Sequence, residues 1–164
     1  MDVVWEELLA GLGDTRQLVH VLVRLAAATL LGAVIGIQRE RAGKPAGLRT
    51  HMLVTLGTAV FVLACSGVGM SLDGLSRVIQ GIITGIGFIG AGSILKLSEQ
   101  RDVQGLTTAA GVWMTAAVGV AVGLGSLGVA ILSALFTIII LSFAKRIERQ
   151  VDEGRAADVE ARNN

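Results

Sequence analysis

Residues 106–124 read LTTAAGVWMTAAVGVAVGL and contain no charged side chain. A helix of about 20 apolar residues spans the hydrocarbon core of a bilayer, which is about 30 Å thick. The composition of the chain fits the same environment, because 52% of its 164 residues are apolar and only 16% are charged. A soluble globule of this size needs more polar surface. The sequence therefore predicts an all-α integral membrane protein.

Further windows of the same character lie on either side, so we expect about five transmembrane helices. The predicted spans are residues 18–37, 52–68, 78–95, 106–124 and 127–144. Only Gly125 and Ser126 separate the last two, which favours a tight turn between antiparallel helices. Residues 1–17 combine apolar side chains at helical spacing with early acidic residues, so we predict a short amphipathic surface helix and not a signal peptide. Residues 145–164 form a charged tail.

The basic residues are distributed unevenly between the two sides of this arrangement. Eleven Lys and Arg residues lie in the tail and in the connections after the first and third spans. The opposite side holds only Arg16 and Arg77. Because loops rich in Lys and Arg stay in the cytoplasm, we expect the tail and both basic connections to be cytoplasmic and the N-terminus to lie outside.

Several spans carry glycines at spacings that let helix backbones approach closely. The glycines to which we assign helix packing are Gly32, Gly36, Gly81, Gly85, Gly87, Gly90, Gly92, Gly119 and Gly123. The third span holds five of them, so we expect it to be central, packed against the first and fourth spans. The fifth span, rich in Ile and Leu, is expected to face lipid. Residues 85–90 match the dinucleotide pattern G-x-G-x-x-G, but they lie inside an apolar run, so we predict no cofactor.

A weak internal repeat links the two halves of the chain. GLRT at residues 47–50 opens the second span and GLTT at residues 105–108 opens the fourth, and a glycine-rich span precedes each. Spans one and two would then form one hairpin, and spans three and four a parallel copy of it, as in some transporter folds. The alternative is chance similarity in a glycine-rich chain.

Segments from both halves together resemble one known family. They are LGAVIGIQRE at residues 31–40, GKPAGLRTH at 43–51, GIGFIGAG at 85–92 and GLTTAA at 105–110. In this order and at this spacing they resemble the MgtC/SapB family of bacterial membrane proteins, and the resemblance covers most of the chain.

The resemblance implies an inner-membrane protein associated with magnesium homeostasis, adaptation to low magnesium and, in some pathogens, virulence. It further implies a regulator that acts through membrane protein partners, with the F-type ATP synthase as a candidate partner. We also expect a homo-oligomer. Longer members of the family carry a cytoplasmic ACT-like domain, whose functions are not carried over to these 164 residues.

The chemistry of the spans favours this regulator over a transporter of magnesium or a metabolite, which is the alternative. Magnesium is bound by carboxylates, carbonyls and water, and the predicted spans contain no Asp or Glu. Backbone carbonyls could still bind an ion, so the alternative stays open. His20 and His51 lie at opposite ends of their helices, which predicts no shared metal site. Ser93 lacks a G-x-S-x-G context, so we expect no enzyme.

A candidate interaction pocket lies where the second and fourth spans begin. Unpaired backbone N–H groups point out of both helices there, towards the predicted cytoplasmic side. The residues assigned to this pocket for an anionic group are Arg39, Glu40, Arg49, Thr50, His51, Thr107 and Thr108. Arg49 is expected to bind a carboxylate or phosphate from a partner protein or lipid headgroup. The alternative is an internal ion pair of Arg49 with an acidic residue of the same loops, namely Glu40, Glu99 or Asp102.

Arg24 is the one charge inside a predicted span, and it lies one helical turn from His20. Its side chain could reach the outer surface or make a structural hydrogen bond. The alternative is a functional site, since charges inside the membrane often have functional roles.

The topology can be tested with reporter fusions. Fusions after Arg41, after Gln100 and at the C-terminus should report the cytoplasm, and fusions after Asp73 and before Leu18 should report the outside, because of the uneven distribution of basic residues. An outside signal after Arg41 would contradict the predicted orientation.

Overall fold

The computed structural model describes residues 14–97 and 102–143. Over these residues it contains five helices, which are α1 (Thr15–Arg41), α2 (Leu48–Gly67), α3 (Leu72–Gly92), α4 (Leu106–Gly123) and α5 (Leu127–Phe143). The first four are long and apolar enough to cross a membrane, and α5 is a shorter apolar helix. The predicted all-helical membrane fold is therefore confirmed. Most of the predicted N-terminal surface helix and the whole tail from residue 145 lie outside the described residues.

The connection between α3 and α4 contains a short β-hairpin that we did not predict. Strand β1 (Leu95–Leu97) pairs with β2 (Asp102–Gln104) in antiparallel orientation, and Leu95 lies opposite Gln104. The predicted third span reached residue 95, whereas α3 ends at Gly92. The helix stops there because both the backbone N–H and the hydroxyl of Ser93 donate to the carbonyl of Gly90, which closes a turn.

Helix α2 lies between α1 and α4 and forms the centre of the bundle. A Cβ atom added to Gly36 of α1 would lie 2.7 Å from the Leu48 Cα atom of α2. A Cβ atom added to Gly123 of α4 would lie 2.6 Å from the Val62 Cβ atom on the other side of α2. Gly32 and Gly119 meet α2 at similarly short distances. These four positions must be glycine because any side chain would force the backbones apart.

The prediction that the third span is central is wrong. Only Ile86 and Gly90 of α3 are buried, and Gly90 would make no more than ordinary contact with α4, at 3.6 Å from the Ala109 Cβ atom. Cβ atoms added to four more of its glycines would meet no atom within 4 Å among the described residues, and these are Gly81, Gly85, Gly87 and Gly92. The sequence argument failed because it counted glycines. Spacing does not separate the helices either, because Gly81 and Gly85 of α3 form an i, i+4 pair like those of α1 and α4 and still meet no atom within 4 Å.

Helix α5 packs against one side of the bundle, so its observed position agrees with the predicted peripheral one. Its large apolar side chains are mostly exposed, Phe136 by 60% and Ile140 by 63%. Its small residues Ala130 and Ala134 are buried and pack into a cluster with Ala28 of α1. The small side chains of α5 thus face the protein, and the large ones face the position of the lipid.

Threonines occupy the interface of α2 and α4 without leaving their hydroxyls unpaired. Thr55 is fully buried and donates to the carbonyl of His51 at 2.9 Å. Thr58 donates in the same way to Val54 at 2.8 Å, and Thr115 to Gly111 at 2.8 Å. Because each hydroxyl is satisfied within its own helix, these small side chains allow close packing at little desolvation cost.

The central position of α2 can be tested with a matched pair of substitutions. Gly119→Ala should lower stability by about 1–3 kcal/mol, because the added methyl group overpacks the contact with α2. Gly85→Ala, in a helix interior with open space, should leave stability unchanged or raise it slightly, because Ala favours helix more than Gly does. Thermal unfolding midpoints in detergent provide the measurement. A larger loss of stability for Gly85→Ala than for Gly119→Ala would contradict the central position of α2.

Candidate functional site

Three helices bring polar side chains together at the end of the bundle where α1 ends and α2 and α4 begin. Arg39 lies in the last turn of α1, His51 in the first turn of α2 and Thr108 in the first turn of α4. All three are buried, with exposed fractions of 2%, 0% and 1%. The structure therefore places three of the seven predicted pocket residues inside the protein and in one cluster.

Arg39 joins α1 to α4. Its Nη2 atom donates to the Thr108 hydroxyl at 3.2 Å, while its Nε atom is buried and has no hydrogen-bond partner. Among the described residues no carboxylate forms a salt bridge with Arg39. A guanidinium is always charged and carries five N–H donors, so this one has donor capacity to spare.

His51 joins α2 to α4. Its Nδ1 atom lies 2.6 Å from the Thr115 hydroxyl oxygen, which also lies 2.8 Å from the Gly111 carbonyl oxygen. The tautomer of the ring decides which group donates in the His51–Thr115 bond. The Nε2 atom is buried and makes no hydrogen bond of its own within the usual distance.

Gly111 of α4 lies beside Arg39 and His51. A Cβ atom added there would lie 3.8 Å from Arg39 Nε and 3.9 Å from His51 Cε1. Both distances are ordinary van der Waals contacts. The packing at Gly111 therefore does not require glycine, in contrast to Gly119 on the same helix.

The other predicted pocket residues lie nearer the surface. The carboxylate of Glu40, an exposed residue, accepts a hydrogen bond from the Leu48 backbone N–H at 2.9 Å, so the start of α2 is capped by its own chain. Arg49 and Thr107 are exposed, and Thr50 is half-buried. The predicted alternative pairing of Arg49 with Glu99 falls outside the described residues, as does the side chain of Asp102.

The start of α4 differs from the start of α2. Its N-cap is Gly105, with a φ of 95° that favours glycine, and no side chain caps it. The first turn of α4 also contains no acidic residue. The positive end of this helix therefore lies next to the Arg39 guanidinium.

Arg24, the charge predicted inside a span, has a structural role at the opposite end of the bundle. Its Nη1 atom donates to the carbonyl of Gly123 at 3.0 Å, where α4 ends. A cation at the C-terminus of a helix complements the helix dipole. Of the predicted alternatives for Arg24, the structural hydrogen bond is therefore the one observed.

Gly111 and Thr115 were missed by the sequence analysis. With Thr108 and Gly119 they recur at spacings of three and four residues, which places them on one face of α4. This run of small and hydroxyl side chains was the available signal, because such a face suits contact with a central helix.

The chain is similar to one known protein family and to several named proteins. The model of the MgtC family matches residues 25–150, which include every residue of the cluster. The chain is 44% identical over 137 residues to the protein SrpB of Synechococcus elongatus, covering 77% of this chain and 75% of SrpB. It is 41% identical over 128 residues to YhiD of Escherichia coli K12, provisionally named a magnesium transporter, covering 73% of this chain and 58% of YhiD.

A third relative is the protein MgtC of Salmonella typhimurium strain 14028s, 47% identical over 104 residues, covering 63% of this chain and 43% of MgtC. The chain thus spans less than two thirds of the length of YhiD and MgtC. No solved structure matches the chain.

The contribution of the His51 bond to stability can be measured with an isosteric change. Thr115→Val keeps the shape of the side chain but leaves the buried Nδ1 atom of His51 without a hydrogen-bond partner, which should cost about 1–3 kcal/mol. The matched control is Thr84→Val, because Thr84 makes the same bond to the carbonyl four residues before it but is exposed. Equal thermal midpoints for the two variants would show that the His51–Thr115 bond contributes nothing.

Proposed function

This chain belongs to the MgtC family, and on that premise we propose that it is a regulator of magnesium homeostasis that acts by binding another membrane protein. The proposed location is the bacterial inner membrane. The C-terminus and the cluster of Arg39, His51 and Thr108, called the Arg39 cluster below, would then lie on the cytoplasmic side. The basic residues near this end of the bundle, including Arg41, Lys44 and Arg49, support that orientation.

The link to magnesium is supported by the family and by the name of one relative. YhiD, with 41% identity, is provisionally named a magnesium transporter. The resemblance to the MgtC/SapB family implies a role in adaptation to low magnesium. For this chain, magnesium homeostasis is our proposal.

The observation that carries a regulatory role is the closed interior of the three-helix core. Gly32 and Gly119 place the backbones of α1 and α4 directly against α2, and Ala59, Val62 and Val118 between them are fully buried. A hydrated ion moving between these helices would have to separate them. Arg39, His51 and Thr108 instead lie at one end of the core, at the termini of three helices, and the exposed residues around them offer a surface to a partner.

The partner we propose is a membrane protein, with the F-type ATP synthase as the candidate that the resemblance to the family implies. We further propose that the chain acts as a homo-oligomer. The Arg39 cluster would transmit the state of the cytoplasmic end to the bundle, because it ties α1 and α2 to α4 through separate hydrogen bonds.

A growth experiment tests the role of the cluster. In a bacterial strain deleted for its own family member, this chain should restore growth at low magnesium, and Arg39→Gln should abolish the restoration because Gln has neither the charge nor the Nε donor. Arg77→Gln, an exposed position at the opposite end of the bundle, is the matched control. Immunoblots of membrane fractions must show equal amounts of each variant.

The variant Arg49→Gln distinguishes the buried cluster from the surface. Loss of growth with Arg49→Gln but not with Arg39→Gln would assign the function to the exposed arginine and contradict the role of the cluster. Co-purification from membranes at low magnesium should yield a partner with the wild type and less of it with Arg39→Gln.

The second candidate function is transport of magnesium or another small solute, which the name of YhiD favours. Magnesium flux into reconstituted vesicles separates the two proposals. Flux above that of protein-free vesicles would support a transporter, and the ion path would then lie outside the core of α1, α2 and α4.

A further inference from the structure

A polar cavity of about 440 Å³ lies at the end of the bundle opposite the Arg39 cluster, between the start of α1 and the end of α2. Its charged and ring side chains come from the α1 side, and they are Asp14, Arg16, His20 and Arg24. Val21 and Leu63 add apolar surface to its walls. One turn further along α1 from Arg24, the two helices meet closely, because Ala28 is fully buried in one cluster with Ala59 of α2.

The basic side chains of this cavity form a row on one face of α1. Arg16, His20 and Arg24 recur every four residues, a spacing that places them above one another on a helix. Across residues 14–97 and 102–143 no carboxylate forms a salt bridge with any of them. The row therefore presents hydrogen-bond donors and positive charge to the cavity without a counter-ion from the described protein.

Arg24 lies at the inner end of the row and is held in place there. Its Nη1 atom donates to the Gly123 carbonyl at 3.0 Å, which leaves further N–H donors on the same guanidinium. Helix α1 has 27 residues and is about 40 Å long, so it exceeds the hydrocarbon core of about 30 Å and its first residues lie at headgroup depth. Arg24 follows Asp14 by about 15 Å along the axis. At that depth the remaining donors need a polar partner.

Asp14 supplies a negative charge at the mouth of the cavity. It occupies the N-cap position of α1, yet its side chain makes no capping hydrogen bond. Aspartate at an N-cap commonly accepts from the first backbone N–H groups, and here it lines the cavity with Arg16 instead. The cavity thus combines a row of donors with a separate carboxylate nearer its opening.

We propose that this cavity binds the headgroup of an aminophospholipid, of which phosphatidylethanolamine is the simplest. The phosphate would accept hydrogen bonds from Arg16 and Arg24, because arginine pairs well with phosphate, and from a ring N–H of His20. The ammonium group would donate to the Asp14 carboxylate. Pockets of roughly 300–1,000 Å³ hold drug-sized ligands, so a phosphoethanolamine group fits into about 440 Å³.

The position and the walls of the cavity favour a lipid over a soluble phosphate ester. Basic pockets between transmembrane helices bind lipid headgroups, and this one opens where α1 passes from headgroup depth into the hydrocarbon core. A lipid places its glycerol and first methylene groups against Val21 and Leu63. A soluble ester carries the same charges but has nothing to bury against these two side chains.

Binding can be measured on the purified, delipidated chain in detergent by adding defined lipids. A ligand that binds only the folded state raises the thermal midpoint. Phosphatidylethanolamine should raise it most, and phosphatidylcholine with the same acyl chains should raise it less, because its quaternary ammonium has no N–H for Asp14. Diacylglycerol, which lacks the phosphate, and soluble glycerophosphoethanolamine, which lacks the acyl chains, should leave it nearly unchanged.

Two variants assign the binding to the cavity. Arg16→Gln should weaken phosphatidylethanolamine binding by about three- to tenfold, because an exposed side chain loses its charge-assisted bond to the phosphate. Arg77→Gln is the matched control, since Arg77 is an exposed arginine at the same end of the bundle but outside the cavity. Asp14→Asn should still bind the phosphate but lose the preference for ethanolamine over choline. Arg24→Gln is unsuitable because it also removes the bond to Gly123.

Four results would overturn the proposal. An equal rise with diacylglycerol would reduce the effect to apolar contact, and saturation by glycerophosphoethanolamine would make a soluble ester the ligand. Equal affinities of Arg16→Gln and Arg77→Gln would place the lipid elsewhere. An unchanged preference in Asp14→Asn would contradict the ammonium contact. The cavity and the Arg39 cluster lie at opposite ends of the bundle, so the lipid proposal can fail while growth at low magnesium still depends on Arg39, and the reverse.

Discussion

The close contact of α2 with the glycines of α1 and α4 is the constraint on which the rest of the structure depends. In a bilayer, helices gain nothing from burying apolar surface away from lipid, so association relies on close packing and on hydrogen bonds. Gly32 and Gly36 on one side of α2, and Gly119 and Gly123 on the other, bring the backbones so near that no side chain fits between them. These contacts set the spacing and rotation of all three helices.

The polar cluster at the end of the bundle is a consequence of that rotation. On α1, the face that contains Gly32 and Gly36 also contains Arg39, one turn further along. On α4, the face with Gly119 continues backwards through Thr115 to Thr108. Once the glycines are in contact with α2, Arg39 and Thr108 must converge beside His51. Packing in the middle of the bundle and chemistry at its end are therefore parts of one arrangement.

Much of the fold could be predicted from the sequence, because the thickness of the hydrocarbon core fixes the length of an apolar helix. The order of the helices in space could not. Hydropathy indicates that a helix lies in the membrane but not which neighbour it touches. Glycine spacing does not decide this either, because the Gly81/Gly85 pair of the third span meets no atom within 4 Å. The candidate site was predicted in part. Arg39, His51 and Thr108 belong to it, but the emphasis on Arg49 overlooked that the carboxylate of Glu40 caps the start of α2.

Gly111 differs from the glycines that hold the bundle together. A glycine in a helix interior costs up to about 1 kcal/mol relative to alanine in soluble helices, and at Gly32, Gly36, Gly119 and Gly123 the close backbone contacts explain that cost. At Gly111 they do not, because a methyl group would fit in ordinary contact. The added methyl group would touch the Arg39 Nε atom, a buried donor that has no hydrogen-bond partner. Glycine at position 111 therefore keeps an apolar methyl group away from a buried, charged guanidinium, and this is a reason for glycine that helix packing does not give.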